Sequence, residues 1–276
     1  MTGPLLSVQN LRIGFRTFDG ILDVVNGVTF DLGREKLGIV GESGSGKSLT
    51  GRAIMQLTPR SAMVRADRLQ MGDIDLLSAS EAEMNKIRGR RISLIMQDPK
   101  FSLNPVVNVG EQIAEAYRIH EKASATVARK RALDMLEAVQ IRDPERVYGM
   151  YPHEMSGGMG QRIMIAMMLV CEPEILIADE ATSALDVTVR LEILNLLNAL
   201  VAKRGLGLIF ISHDLNLVRR FCDRVLIMYR GRVVESLDAR DLAQAKHPYT
   251  RGLLEAMPQI HDKRRRLPVL QRDAAW

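Results

Sequence analysis

The sequence predicts an α/β fold built on a parallel sheet, and three observations carry that reading. The first is a strand, a glycine-rich loop and a helix start in direct succession. Leu37 to Val40 is a short apolar run, Gly41-Glu42-Ser43-Gly44-Ser45-Gly46-Lys47-Ser48 reads GxxxxGKS, and Leu49, Ala53, Ile54 and Leu57 open a helical pattern. The second is a set of further apolar runs, Ile92 to Met96, Ile175 to Ala178 and Leu206 to Ile211, each closing on polar residues as buried parallel strands do. The third is a stretch, 108–140, with helical periodicity and no strand, which predicts a helical insert in the β/α alternation.

The glycine-rich loop is a P-loop by its spacing and by its setting. Its glycines free the backbone to wrap N–H groups around phosphate oxygens at the positive end of a helix dipole. In such a loop Lys47 reaches the β- and γ-phosphates, and Ser48 offers its hydroxyl to Mg²⁺. A plain glycine-rich turn would lack the strand before and the helix after. The motif implies a nucleoside triphosphate ligand.

With 276 residues and 46% hydrophobic content, the chain is long enough for one large α/β domain or two small ones. Cys171 and Cys222 lie far apart in apolar contexts without metal-ligand spacing, so they read as buried, reduced thiols. The start lacks a basic, apolar leader, and no window approaches the ~18 apolar residues of a membrane span. The expected compartment is the cytoplasm. The net charge of +5 is modest, and the run Lys263-Arg264-Arg265-Arg266 reads as a solvated tail, with acidic lipid or a partner as the minority reading.

Taken in order, residues 7–15 and 22–30 have strand-like spacing about a turn at Thr17 to Gly20, which predicts an antiparallel hairpin. Phe15, at the end of the first strand, is either a core residue or a face on which a base can stack. Residues 58–90 read as mixed and polar, with Arg88-Gly89-Arg90-Arg91 as a solvated turn. The strand Ile92 to Met96 then runs into Gln97-Asp98-Pro99. An amide at the edge of a parallel sheet can coordinate Mg²⁺ or position a water, or be mere loop.

Two amphipathic helices follow, with Val109, Ile113, Ala116 and Tyr117 on one face and Ala128, Ala132, Met135, Leu136 and Val139 on another. Pro144 and Pro152 bracket the way out. Ser156-Gly157-Gly158 then opens an apolar helix, with Ser156 as N-cap and the glycines admitting a phosphate to the backbone N–H groups. Next, a core strand closes on Asp179 and Glu180: the first carboxylate can hold Mg²⁺ and the second can polarise an attacking water. Ser183-Ala184-Leu185-Asp186 is a turn before a long helix. His213 follows the strand ending at Ile211, where it is either structural or a partner for a γ-phosphate, and Arg224 to Tyr229 with Arg232 to Ser236 make a final hairpin.

The order of these motifs resembles the ATP-binding cassette of ABC transporters. On that resemblance Gly41 to Ser48 match Walker A, Gln97 the Q-loop, Met155 to Met159 the signature, and Ile175 to Asp179 Walker B. Glu180 matches the catalytic carboxylate, Asp186 the D-loop, His213 the switch histidine and Phe15 the adenine-stacking aromatic. The implied ligands are ATP and Mg²⁺, the metal held by Ser48, Gln97 and Asp179. The implied fold is a RecA-like core with a parallel sheet, an antiparallel β subdomain and an inserted helical subdomain at about 100–160, within a cassette of 1–245 and a tail of 246–276.

Three phrases are similar to the ATPase subunits of oligopeptide, dipeptide and nickel importers: GESGSGKS at 41–48, Tyr151-Pro152-His153-Glu154, and His247-Pro248-Tyr249-Thr250. That resemblance implies peripheral attachment to the cytoplasmic face of the bacterial inner membrane. It also implies two permeases, a periplasmic binding protein and a second ATP-binding subunit, paralogue or self, in a head-to-tail dimer. Gly160 stands where relatives usually carry Arg, Ala181 where Pro commonly follows the acidic pair, and Arg34 where Gly is usual; residues 247–276 hold no Cys. A soluble ABC ATPase acting on DNA or ribosomes would carry paired cassettes, coiled coils or zinc cysteines, and a P-loop kinase would have no use for Ser156. No nucleic-acid partner is expected.

Overall fold

The computed structural model describes residues 3–97, 102–183 and 185–256. They fall into two compact units, Ser80–Leu208 and the described residues of 1–79 with 209–276. The segments Asp98-Pro99 and Lys263 to Arg266 lie outside the described residues.

In the unit holding the N-terminus, β1 (Leu6–Thr17) and β2 (Gly20–Leu32) form the antiparallel hairpin expected from the spacing, each strand longer than its pattern indicated. Leu6, Val8, Leu11 and Ile13 are fully buried, a period of two that skips one residue. The register slips between Val8 and Leu11, where Asn10 takes a φ of 50°. Its backbone N–H donates to Thr29 Oγ1 at 2.9 Å. This bulge absorbs the extra residue and returns Leu11 and Ile13 to the core face.

The stretch read as mixed and polar holds regular structure. β4 (Ala62–Arg65) and β5 (Arg68–Met71) pair with β1, and β6 (Ile74–Asp75) pairs with β5. None of these strands exceeds four residues, so no alternation develops that a pattern search can detect. β3 (Lys36–Val40) pairs parallel with β10 (Arg224–Tyr229), which pairs antiparallel with β11 (Arg232–Asp238). α1 (Lys47–Ile54) leaves β3 through the glycine-rich loop, and α8 (Leu215–Phe221) packs on β3. Beyond β11 a 3₁₀ turn, Ala239–Gln244, leads to α9 (Pro248–Ala256).

In the second unit β7 (Ile92–Ile95) and β8 (Ile175–Asp179) pair parallel, and every residue of β8 is buried. α2 (Glu81–Ile87) opens on a capping box between Ser80 and Glu83. α3 (Val109–Glu121) and α4 (Ala125–Ala138) are the two amphipathic helices of the insert, burying Val109 and Ile113 on one and Ala128, Ala132, Met135 and Leu136 on the other. Pro144 begins the short α5 (Pro144–Tyr148), at a position where a missing N–H costs nothing. α6 (Gly157–Leu169) packs on α3, α4 and α7 (Val187–Arg204), and β9 (Gly207–Ser212) carries the chain back to the first unit. The arginines read as a solvated turn are engaged: Arg88 pairs with Glu81 at 2.6 Å and Arg91 with Glu174 at 2.5 Å.

Both cysteines are free thiols, but only Cys222 is buried; Cys171 is half-buried, its Sγ 3.7 Å from Ala116 O. Burial pushes the Cys171 thiol up to about 11 and the Cys222 thiol higher still, so neither forms a thiolate at neutral pH. Among the described residues no helix is long and apolar enough to cross a membrane.

Candidate nucleotide-binding site

The loop between β3 and α1 is shaped by what surrounds it. A Cβ on Gly41 would lie 2.1 Å from Met228 O, so only glycine lets the chain leave β3 beside β10. Gly46 is the N-cap of α1 with φ 97°, a conformation that other residues rarely adopt, and it supplies no side-chain acceptor to the first turn. A helix start of this kind presents backbone N–H groups and a positive dipole end to an anion. The chain is tied to the β10–β11 turn by the Gly231 N–H, which donates to Ser45 O at 3.1 Å.

Lys47 is buried at 5% exposure. Its Nζ donates to Gly41 O at 2.8 Å, to Glu42 O at 2.7 Å and to Ser45 Oγ at 3.4 Å, so neutral oxygens of the loop hold the ammonium in place. Ser43 and Gly44 are exposed, Ser48 is half-buried, and a pocket of about 140 Å³ opens against Glu42, Ser43, Gly44, Ser45, Tyr229 and Arg230. Tyr229 and Arg230 escaped the sequence reading, because they belong to a strand end with no motif and reach the loop only through the parallel pairing of β10 with β3.

Phe15 lies half-buried in β1, opposite Leu22 and Ala62. His213 is exposed just beyond β9, ahead of Asp214, which caps α8 by accepting from the Leu217 N–H at 3.0 Å.

The remaining sequence-predicted residues belong to the second unit. Asp179 is buried at the end of β8. Glu180 follows with φ 50°, in the left-handed region that costs a residue with a side chain about 1–2 kcal/mol, and its carbonyl accepts from both the N–H and the hydroxyl of Ser183, at 3.1 and 3.0 Å. This strained turn breaks the strand so that the half-buried Glu180 departs from its line. Asp186 is exposed and caps α7, its carboxylate accepting from Thr188 and Val189 N–H at 3.1 Å each.

Ser156 caps α6 through a hydrogen bond from the Met159 N–H at 3.4 Å, and Ser156 and Gly157 are both exposed. Gly158 serves packing: a Cβ there would lie 2.8 Å from Val189 Cγ1 of α7. Gln97 is exposed beyond β7.

A glycine loop that turns a buried strand into a helix start, with a buried lysine inside it and a separate strand closing on paired carboxylates, defines the phosphate-binding ATPase class. Residues 25–183 match the family model described as ABC transporter, and the chain belongs to that family as an ATP-hydrolysing, nucleotide-binding cassette. It is 48% identical over 259 residues to the dipeptide transport ATP-binding protein DppD of Bacillus subtilis, spanning 93% of this chain and 77% of that one. It is 47% identical over 260 residues to the oligopeptide transport ATP-binding protein OppD of the same organism, spanning 93% and 72%.

Among solved structures, it resembles the dimeric ATP-binding cassette MJ0796 in a post-hydrolysis state bound to ADP and Pi. The TM-score is 0.72 at 28% identity, over 85% of this chain and 99% of that one. It also resembles cbiO1 from Clostridium perfringens, part of the ABC transporter complex cbiONQ, with a TM-score of 0.75 at 25% identity over 92% and 96%.

Proposed function

We propose that this chain is the ATP-hydrolysing subunit of a peptide importer. The observation that carries the reading is its 48% and 47% identity to a dipeptide and an oligopeptide transport ATP-binding protein, each over 93% of the chain. In this reading residues 1–245 are the cassette, with the helical insert at about 100–160, and residues 246–276 are a family tail. The cassette sits on the cytoplasmic face of the inner membrane with two permeases and a second ATP-binding subunit, supplied by a periplasmic binding protein. Nickel or another small solute is the second cargo class in the same role.

The residues divide the work. Backbone N–H groups of Gly44 to Ser48 and the Lys47 ammonium bind the phosphates, with Glu42, Ser43 and Gly41 shaping the loop, and Phe15 stacks on adenine. Among the described residues no three His, Cys, Asp or Glu side chains cluster as a metal cage. Mg²⁺ keeps several waters and takes few protein oxygens, and the residues assigned to it are Ser48, Asp179 and Gln97. When bound, the ion would supply positive charge that offsets the negative charge of the phosphates during transfer.

Glu180 accepts the proton of the attacking water as the bond from the γ-phosphorus to the ADP oxygen breaks; phosphate and ADP leave. His213 hydrogen-bonds the γ-phosphate. Ser156, Gly157 and Gly158 act across a head-to-tail dimer on the nucleotide held by the other subunit, and Asp186 is a further nucleotide-binding residue. ATP is then glue between subunits, and its hydrolysis gives the permeases two states to follow.

The test is reconstitution of the chain with its co-purifying permeases and binding protein in lipid vesicles. Di- and oligopeptides should raise ATP turnover and accumulate inside. Stimulation by Ni²⁺ and not by peptides would replace the cargo assignment.

A further inference from the structure

The tail phrase His247-Pro248-Tyr249-Thr250, which served only to place the chain among importers, meets the P-loop in the folded unit. Tyr249 is 0% exposed, and the Glu42 backbone N–H donates to its Oη at 3.3 Å. That N–H belongs to the same peptide unit as Gly41 O, which accepts from Lys47 Nζ at 2.8 Å. One rigid, planar peptide at the start of the loop is therefore held at both ends, by the tail tyrosine on its N–H and by the P-loop lysine on its carbonyl. The Tyr249 ring packs on Tyr229, centroids 4.3 Å apart and planes at 37°, and Tyr229 with Glu42 lines the pocket of about 140 Å³.

The helix that carries Tyr249 is itself anchored. Glu235 of β11 accepts from the Lys246 N–H at 2.6 Å and from the His247 N–H at 3.3 Å, just ahead of α9. The Tyr249 N–H donates to His247 Nδ1 at 3.2 Å. The tail is thus fastened to the hairpin strand on one side and to the P-loop on the other, and all of these residues lie in one unit.

We infer that Tyr249 is a positioning residue for nucleotide binding: its hydroxyl sets the Gly41–Glu42 peptide and its ring supports Tyr229, so the C-terminal segment completes the phosphate pocket. The inference rests on the nucleotide being held at the P-loop. Because the loop contacts ground state and transition state alike, losing this support raises KM and leaves kcat in place.

The experiment uses the full chain in its assembled transporter, with a fluorescent ATP analogue for affinity and ATP turnover for kinetics. Tyr249→Phe removes one neutral hydrogen bond and keeps the ring, and should weaken analogue binding and raise KM for ATP roughly 2- to 10-fold, with kcat within about twofold of the parent. Thr250→Val, at the next and equally buried position, whose hydroxyl has no hydrogen-bond partner among the described residues, should leave affinity and KM unchanged even where it lowers Tm. Tyr249→Phe that binds and turns over like the parent, or Thr250→Val that raises KM as much, overturns the inference. Lys47→Ala in the same titration separates the two levels. Parental binding by that variant would bring down the P-loop reading itself, whereas lost binding there with parental binding by Tyr249→Phe brings down only the role of Tyr249.

Discussion

The starts of α1 and α6 are both glycine-led helix N-termini, and they are built in opposite ways. At α1 the cap is Gly46, buried, with φ 97° and no side chain to offer; at α6 it is Ser156, exposed and extended, with its own hydroxyl turned back on the Met159 N–H. α1 has a buried ammonium within its loop and a pocket in front of it, whereas Gly157 after Ser156 has nothing within 4 Å of an added Cβ. Both present a positive dipole end. The first is a loop pocket lined by its own unit, and the second is a self-capped, exposed helix end. The same local chemistry, a helix start with a positive dipole end, stands in two different surroundings, and the proposed division into cis and trans action rests on that difference.

Removing the cation from the socket should have the largest effect on binding. Lys47→Ala deletes charge-assisted contacts worth roughly 1.5–3 kcal/mol, so affinity for a fluorescent ATP analogue should fall roughly 10- to 150-fold. Retained affinity would erase the contrast, since α1 would then be no better an anion site than α6.

Ser156→Arg sharpens the comparison from the other side. If α6 acts in trans, this variant should keep analogue binding at its own Lys47 while ATP turnover at the partner's P-loop drops more than about tenfold. Mixed with Lys47→Ala subunits in a self-pairing transporter, it should regain part of the activity, because one composite site then has both halves intact. Ser156→Ala removes the same cap without bulk and controls for the stability lost with it, about 0.5–2 kcal/mol. Loss of binding at its own site by Ser156→Arg would place both helix starts on one nucleotide.

The smallest effect concerns the outer fastening of the socket. Burial works to raise the Glu235 carboxyl, but hydrogen bonds from the Lys246 and His247 backbone N–H groups outweigh it and hold it below the usual carboxylate range. A depressed carboxylate stabilises the fold above its unfolded value and loses that contribution as pH falls through the lower folded one. Glu235→Gln should therefore lower Tm by no more than about 2 °C at pH 7, and the gap to the parent should close below about pH 4. A gap that persisted into acid would mean that shape, and not charge, fastens α9.

Local pattern sufficed wherever chemistry is contiguous. The loop 41–48, the strand closing on Asp179 and Glu180, the Ser156 cap and the two insert helices could each be read from neighbours within a dozen residues, because phosphate cradles, caps and amphipathic faces are short-range devices. The segment 58–90 was opaque for the converse reason: β4 and β5 are stabilised by pairing with β1, about 50–65 residues earlier in the chain, β6 only adds to β5, and all three carry too few residues for a period.

Tertiary structure alone decided the rest of the phosphate pocket. Nothing around Tyr229, Arg230 or Tyr249 announces a nucleotide site. They arrive because β10 runs parallel to β3 and because α9 returns its tyrosine to Glu42, 207 residues away in sequence. Strand pairing and the burial of Tyr249 are contacts between distant segments, and such contacts acquire an energy only once the core has closed around them. The chain by itself determined that a phosphate-binding P-loop would form; the fold decided which side chains hold that loop in shape.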